Sequence, residues 1–245
     1  MKDWCQGRVG CILAGLLLGT TPPHALAADK VALPGFAIDR TEVSIAQFDR
    51  FVRATGTVTR AEKEGGGFEY GAGWERRPGW SWRKPDGVDA RPDLPAVHLD
   101  FAEAQAYCRW AGGRLPTGAE WQQAGFTELR DAPPAPWVKG RTYPWTTGDS
   151  SQGANTSDAD PWPRAAPAGA TRQGVNGLYD MGANVWEWTT DWYQEHKEIP
   201  QSCCASFNPR GGERDKSYDL HMTDIKIARA LNNFWTDIFI QFKSS

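Results

Sequence analysis

Five cysteines and four histidines are the residues of this chain best suited to covalent or metal chemistry. Their spacing excludes most of what such residues usually do. His24, His98, His196 and His221 are scattered, without the His-x-x-x-His spacing that puts two imidazoles on one metal. Cys203 and Cys204 are adjacent, so they cannot readily form a relaxed disulfide with each other. They also lack the separation with which two thiolates grip a soft cation from opposite sides. Either one of them pairs with Cys108 or both stay reduced, and no neighbouring group is placed to lower a thiol pKa. Gly-x-Ser-x-Gly, phosphate-loop and dinucleotide fingerprints are absent from the sequence.

The elements that must position these groups are few and short. A Pro-Gly turn and the alternation of Phe36 and Ile38 with Ala37 and Asp39 predict a strand within 33–43. Ser44 and Gln47 have capping-box spacing, with Ile45, Phe48, Phe51 and Val52 on one helical face and Gly56 as the stop. A second strand is expected at 95–99. Asp100 and Glu103 then cap a helix that turns Ala104, Tyr107, Cys108 and Ala111 inward, and Thr117 and Glu120 cap a third beginning near Trp121. Residues 60–95 and 125–175 show no clear period. The first of these segments holds Trp74, Trp80 and Trp82, too many rings for a disordered linker, and is expected to pack on the domain and shape a surface. The expected class is α+β with high coil content. The 13 Trp, 26 Gly and 17 Pro suit that architecture and not a helical bundle. A formal charge of −3 argues against a nucleic-acid partner.

Residues 1–27 read as a secretory signal peptide. Lys2 and Arg8 form a basic region, Val9 to Gly19 an apolar stretch, and Ala25-Leu26-Ala27 offers small residues for cleavage. Removing it takes away Cys5, Cys11 and His24. The expected mature domain, 28–227, is periplasmic or secreted, free of the membrane and monomeric. It would keep an odd number of cysteines in an oxidising compartment, so at least one thiol is free, intermolecular or unusual.

Several short motifs stand in order along the chain. They are Asp39-Arg40-Thr41-Glu42-Val43-Ser44 with Gln47-Phe48; Ala106 to Ala111 with Arg114-Leu115-Pro116-Thr117 and Ala119-Glu120-Trp121; Tyr143-Pro144-Trp145 with Gly153-Ala154-Asn155; and Asn176 to Met181 leading into Asn184-Val185-Trp186-Glu187-Trp188. Together they resemble the formylglycine-generating enzyme, or sulfatase-modifying factor, family from about residue 33 to 193. The resemblance implies a coil-rich variant of the C-type lectin fold. It implies calcium on two oxygen sets: Asn155, Asp160 and the carbonyls of Thr156 and Trp162; and Asp180, Glu187 and the carbonyls of Ala183 and Val185. Such mixtures of carboxylate and carbonyl are what Ca²⁺ selects. The family activity is oxidation of a sulfatase cysteine to formylglycine, with Cu(I) on two thiolates and molecular oxygen.

In the family the run from Cys203-Cys204 to His221-Met222 precedes a strand and then a Gly-Gly-Ser segment carrying the thiolate pair. Here Ile225-Lys226-Ile227 is followed by Ala228-Arg229-Ala230, and that segment does not come. Residues 228–245 are a divergent tail, read either as unrelated sequence after a frameshift or truncation, or as a degraded closing strand with Ser244 in place of the cysteine that pairs with Cys108 in the family. No catalytic residue can therefore be assigned, and the copper ligands are missing from this sequence. Two functions are expected to compete. One is the family oxidation of a protein or peptide substrate such as a sulfatase. The other is a non-catalytic module binding a peptide in an aromatic groove of Trp74, Trp80, Trp82 and Trp186, with Trp188 read as a core ring.

Overall fold

The computed structural model describes residues 29–70, 74–156, 160–192, 226–228 and 240–241. The segment expected to be a signal peptide, Cys203, Cys204, His196, His221 and most of the residues after 228 lie outside the described residues, as does the side chain of Trp74.

Pro34-Gly35 turns the chain back on itself, with Gly35 at φ 90°. The first expected strand is thus a hairpin of β1 (Lys30–Leu33) and β2 (Phe36–Asp39). Helices α1 (Ile45–Thr55), α3 (Phe101–Trp110) and α4 (Gly118–Phe126) begin at Ser44, Asp100 and Thr117, each with a complete capping box. Between them lies α2 (Arg60–Lys63), one turn capped by Thr59 and Glu62. Each cap satisfies amide donors that would otherwise be orphaned, and is typically worth about 1 kcal/mol.

The structure departs from the sequence reading in two places. The segment 60–95 contains a hairpin, β3 (Gly66–Tyr70) with β4 (Trp74–Pro78), joined across its register by Arg77–Glu69 at 2.8 Å. Residues 95–99 are not a strand. Pro95 makes a single bridge to Ser44, and the chain then bends at His98, whose φ is 57°. Ala96, Val97 and Leu99 are all buried, so this alternating segment carries a core run and not a ladder.

Two apolar clusters hold these pieces. In one, Phe48 and Phe51 of α1 meet Tyr107 of α3 and Trp82, with Leu99, Leu115 and Trp188 around them. In the other, Val31 and Ile38 pack on Trp121, Leu178 and Met181. Strand β5 (Trp186–Trp192) is flanked by β6 (Lys226–Ala228), antiparallel, and β7 (Ile240–Gln241), parallel. It is anchored to the start of α4, where the Gly118 amide donates to Asp191 and the Thr190 amide to Pro116 O at 2.9 Å. Among the described residues no helix is long and apolar enough to cross a membrane.

Glu103 ties α2 to α3. Its carboxylate accepts the Asp100 amide at 2.8 Å and the Arg60 amide at 2.5 Å. Burial nonetheless raises its pKa to about 7 from the ordinary 4.5, against the opposing pull of those amides. The folded state therefore binds more protons than the unfolded state between these two values. The stability Glu103 contributes is full below 4.5 and is lost as pH rises through about 7. The melting temperature should fall between pH 5 and pH 8, and Glu103→Gln should flatten that slope. An unchanged slope in the variant would assign the dependence elsewhere.

Candidate functional site

The segment 174–187 is folded by residues that tolerate left-handed backbone. Asn176, Asp180 and Asn184 have φ of 57°, 61° and 63°, and Gly177 and Gly182 have 73° and 66°. Asn and Asp are the non-glycine residues best suited to this region. Such conformations persist only where the surroundings enforce them, and here side-chain amides do so. Asn176 Nδ2 donates to the carbonyls of Ala124 and Thr127, both at 2.7 Å, and its Oδ1 accepts the Leu129 amide at 2.7 Å. That clamps the turn to the end of α4. Glu128, fully buried, accepts the Asn176 amide at 3.2 Å and pairs with Arg130 at 2.7 Å.

Three carboxylates in this segment or bonded to it are buried: Asp180 is 4% exposed, Glu187 2% and Glu42 0%. Asp180 accepts the Gly169 amide at 2.6 Å and the Thr171 hydroxyl. Glu187 accepts the Trp121 indole N–H. Glu42 accepts from Asn184 Nδ2 with both oxygens, at 3.2 and 3.0 Å. The donors just named are neutral, and burying a carboxylate is expensive unless charge is compensated.

The two oxygen sets predicted from sequence are stitched together. The Asn184 amide donates to Asn155 O at 3.0 Å, and Asn155 Nδ2 donates to Asn184 Oδ1 at 2.8 Å. In the first set, Asp160 accepts the Thr156 amide at 2.9 Å and the Trp162 amide at 3.0 Å. In the second, the Val185 amide donates to Ala183 O at 2.8 Å. Among the described residues no three His, Cys, Asp or Glu side chains gather as a metal-binding group. A cation here would therefore have to draw on backbone carbonyls and carboxamides as well. The segment 180–187 holds two buried carboxylates, Asp180 and Glu187, and left-handed backbone at Asp180, Gly182 and Asn184.

The sequence named Asp180 and Glu187 but gave no role to Asn184 or Glu42. Both stood inside the quoted motifs, and nothing in their immediate neighbours marked them as partners.

The tryptophans separate. Trp82 is 0% exposed and packs edge-on against Phe48 at 5.1 Å, with its indole N–H directed to Glu62 at 3.3 Å. The groove role expected for Trp82 is thus corrected to a core role. Trp188 is buried and donates to Leu99 O at 3.2 Å, as expected of a core ring. Trp186 is half-buried. Trp80 is half-buried between the Arg164 guanidinium, 5.2 Å from its ring, and His98, whose ring centroid is 5.6 Å away. His98 Nε2–H donates to Pro85 O at 2.9 Å, and burial lowers its pKa, so this wall is a neutral imidazole at neutral pH. Arg164 also pairs with Glu69 at 3.1 Å.

Cys108 is 0% exposed, and burial pushes its thiol up to about 12. A thiol in that state is not a nucleophile or a soft-metal ligand at neutral pH.

Comparison with known proteins adds the following. The family model described as the sulfatase-modifying factor enzyme 1-like domain matches residues 8–234. The formylglycine-generating enzyme of Thermomonospora curvata is 33% identical over 86% of this chain and 80% of its own length. That of Bos taurus is 33% identical over 80% of this chain and 59% of its own. The inactive C-alpha-formylglycine-generating enzyme 2 of Mus musculus is 32% identical over 73% of this chain and 66% of its own. The chain thus spans a little under three fifths of the bovine relative's length.

Proposed function

Because the chain belongs to the sulfatase-modifying factor enzyme family, we propose that residues 28–227 form an exported, calcium-stabilised, lectin-like scaffold that holds an extended peptide of a protein partner without oxidising it. The observation that carries this reading is the state of the thiols. Cys108 is sealed in the core and protonated, and Cys203 and Cys204 are adjacent in sequence. These residues do not fit a cuprous ion held between two thiolates. Half-buried Trp80 and Trp186 serve as groove rings that offer contact area at small entropic cost. Membership also suggests the substrate class: a sulfatase or similar protein presenting a cysteine-containing segment.

The deciding experiment incubates the purified protein with Cu(I), oxygen and a Cys-x-Pro-x-Arg peptide. No mass loss from aldehyde formation is expected, with peptide affinity on the order of micromolar. Turnover would sink the non-catalytic reading; absence of both turnover and binding would sink the groove as well.

Calcium at the second set would sit on Asp180, Glu187 and the carbonyls of Ala183 and Val185. Its chemistry there is charge compensation for two buried carboxylates. Asn155, Asp160 and the carbonyls of Thr156 and Trp162 would take a further ion. Protein stripped with a chelator should gain roughly 5–10 °C in melting temperature at about a hundredfold excess of calcium over its Kd. Most of that gain should vanish in Glu187→Gln. Equal gains with magnesium, or none with calcium, would defeat the assignment.

A further inference from the structure

Three side chains from separate parts of the chain turn nitrogen donors toward one point beside Gly177. Arg40 follows β2, Arg130 follows α4, and Gln173 precedes the turn at Val175–Gly177. A Cβ built on Gly177 would lie 3.2 Å from Arg130 Nη1, 3.3 Å from Arg40 Nη1 and 3.5 Å from Gln173 Nε2. For carbon these are close to crowded contacts. The three nitrogens therefore converge in front of Gly177, on the side where a side chain would project. Gly177 has φ 73°, where a side chain is strained, so the cradle belongs to a position that disfavours a Cβ on two grounds.

The donors are oriented but not exhausted. Arg40 spends Nε and Nη2 on Asp29, at 2.6 and 3.4 Å, and gives one Nη1 hydrogen to Gly177 O at 3.0 Å. Gln173 Nε2 gives one hydrogen to the same carbonyl at 3.1 Å. Each nitrogen carries a second. Arg130 spends Nε and Nη2 on Glu128, both at 2.7 Å, which leaves Nη1. Glu128 is fully buried, so this guanidinium is held rigidly while its own side chain remains 24% exposed; that of Arg40 is 31% exposed. If the cluster served only to cap the Gly177 carbonyl, Arg130 Nη1 would have no part in it.

We infer that Arg40, Arg130 and Gln173 form a binding site for a compact oxyanion. Planar guanidinium donors fixed by carboxylates suit sulfate, phosphate or carboxylate oxygens. Both arginines are already paired, so the site offers donor geometry more than net charge. The anion is therefore held weakly and in competition with salt. It is either a free inorganic anion or the carboxylate of an acidic residue in a partner.

The test is calorimetric titration of the intact protein with sodium sulfate, sodium phosphate and sodium acetate at matched ionic strength. Saturable binding of at least one is expected. It should weaken about tenfold in Arg40→Gln, weaken by a smaller factor in Gln173→Ala, and be unchanged in Lys139→Gln, a surface control. Both site variants alter exposed or half-exposed side chains, and melting curves without anion establish that they fold. Preference for the tetrahedral anions identifies a free ion; preference for acetate identifies a partner carboxylate. No saturable binding of any of the three, or equal affinity in Arg40→Gln, overturns the site.

Discussion

Trp82→Ala is expected to lose about 3–5 kcal/mol of folding stability, much of the roughly 5–15 kcal/mol that holds an ordinary domain together. The ring is 0% exposed and fills the space between α1 and the loop after β4, edge-on to Phe48 and under the Arg83 guanidinium at 3.9 Å. Removing it opens a cavity walled by aromatic side chains that cannot collapse easily, and it strips Glu62 of an indole donor. The melting temperature should drop by roughly 6–20 °C. Trp80→Ala, two residues away, should lose about 1 kcal/mol, because its ring is only half-buried. The second variant should instead weaken peptide binding. Urea denaturation of both, with peptide titration of whichever remains folded, separates the two roles. A Trp82→Ala protein of near-native stability that no longer binds peptide would return Trp82 to the groove.

The contrast between those two rings shows where sequence reasoning reached its limit. Three helices were legible because a capping box is local chemistry: Ser44 with Gln47, Asp100 with Glu103 and Thr117 with Glu120 each act within one turn. The hairpin of β3 and β4 was not, because it lacks apolar alternation. Its cross-strand contacts are Arg77 with Glu69 and the Arg76 guanidinium over Phe68 at 4.9 Å, pairings that become visible only once the register is known. Residues 95–99 misled in the opposite direction, since a short apolar run has the same pattern in a strand and in a buried loop. At the site, Asp180 and Glu187 were legible as residue types in a motif. Their donors were not: Trp121 precedes Glu187 by 66 residues, and Asn184 reaches Glu42 across 142. Nothing local in either partner announces such a contact.

Asn184→Ala follows from that last contact and should cost about 3–5 kcal/mol. Asn184 uses its whole carboxamide: Nδ2 serves both Glu42 oxygens and Ala166 O at 3.2 Å, while Oδ1 accepts the Ala166 amide at 2.7 Å and Asn155 Nδ2 at 2.8 Å. Alanine withdraws those donors from a fully buried carboxylate and deprives the buried Ala166 amide of its acceptor. It also places a residue less tolerant of φ 63° at the turn. Because the damage centres on Glu42, neutralising that group should relieve part of it. In a double-mutant cycle, Glu42→Gln combined with Asn184→Ala should be less destabilised than the sum of the two by about 1–3 kcal/mol. Simple additivity would mean that the two side chains do not act as a unit. The same substitution removes the side-chain link from Asn155 Nδ2 and leaves only the backbone bond from the Asn184 amide to Asn155 O, so any stabilisation by calcium should shrink even though Asn184 is not among its proposed ligands. A full calcium response in Asn184→Ala would show that the backbone link from the Asn184 amide to Asn155 O is enough to hold the segment.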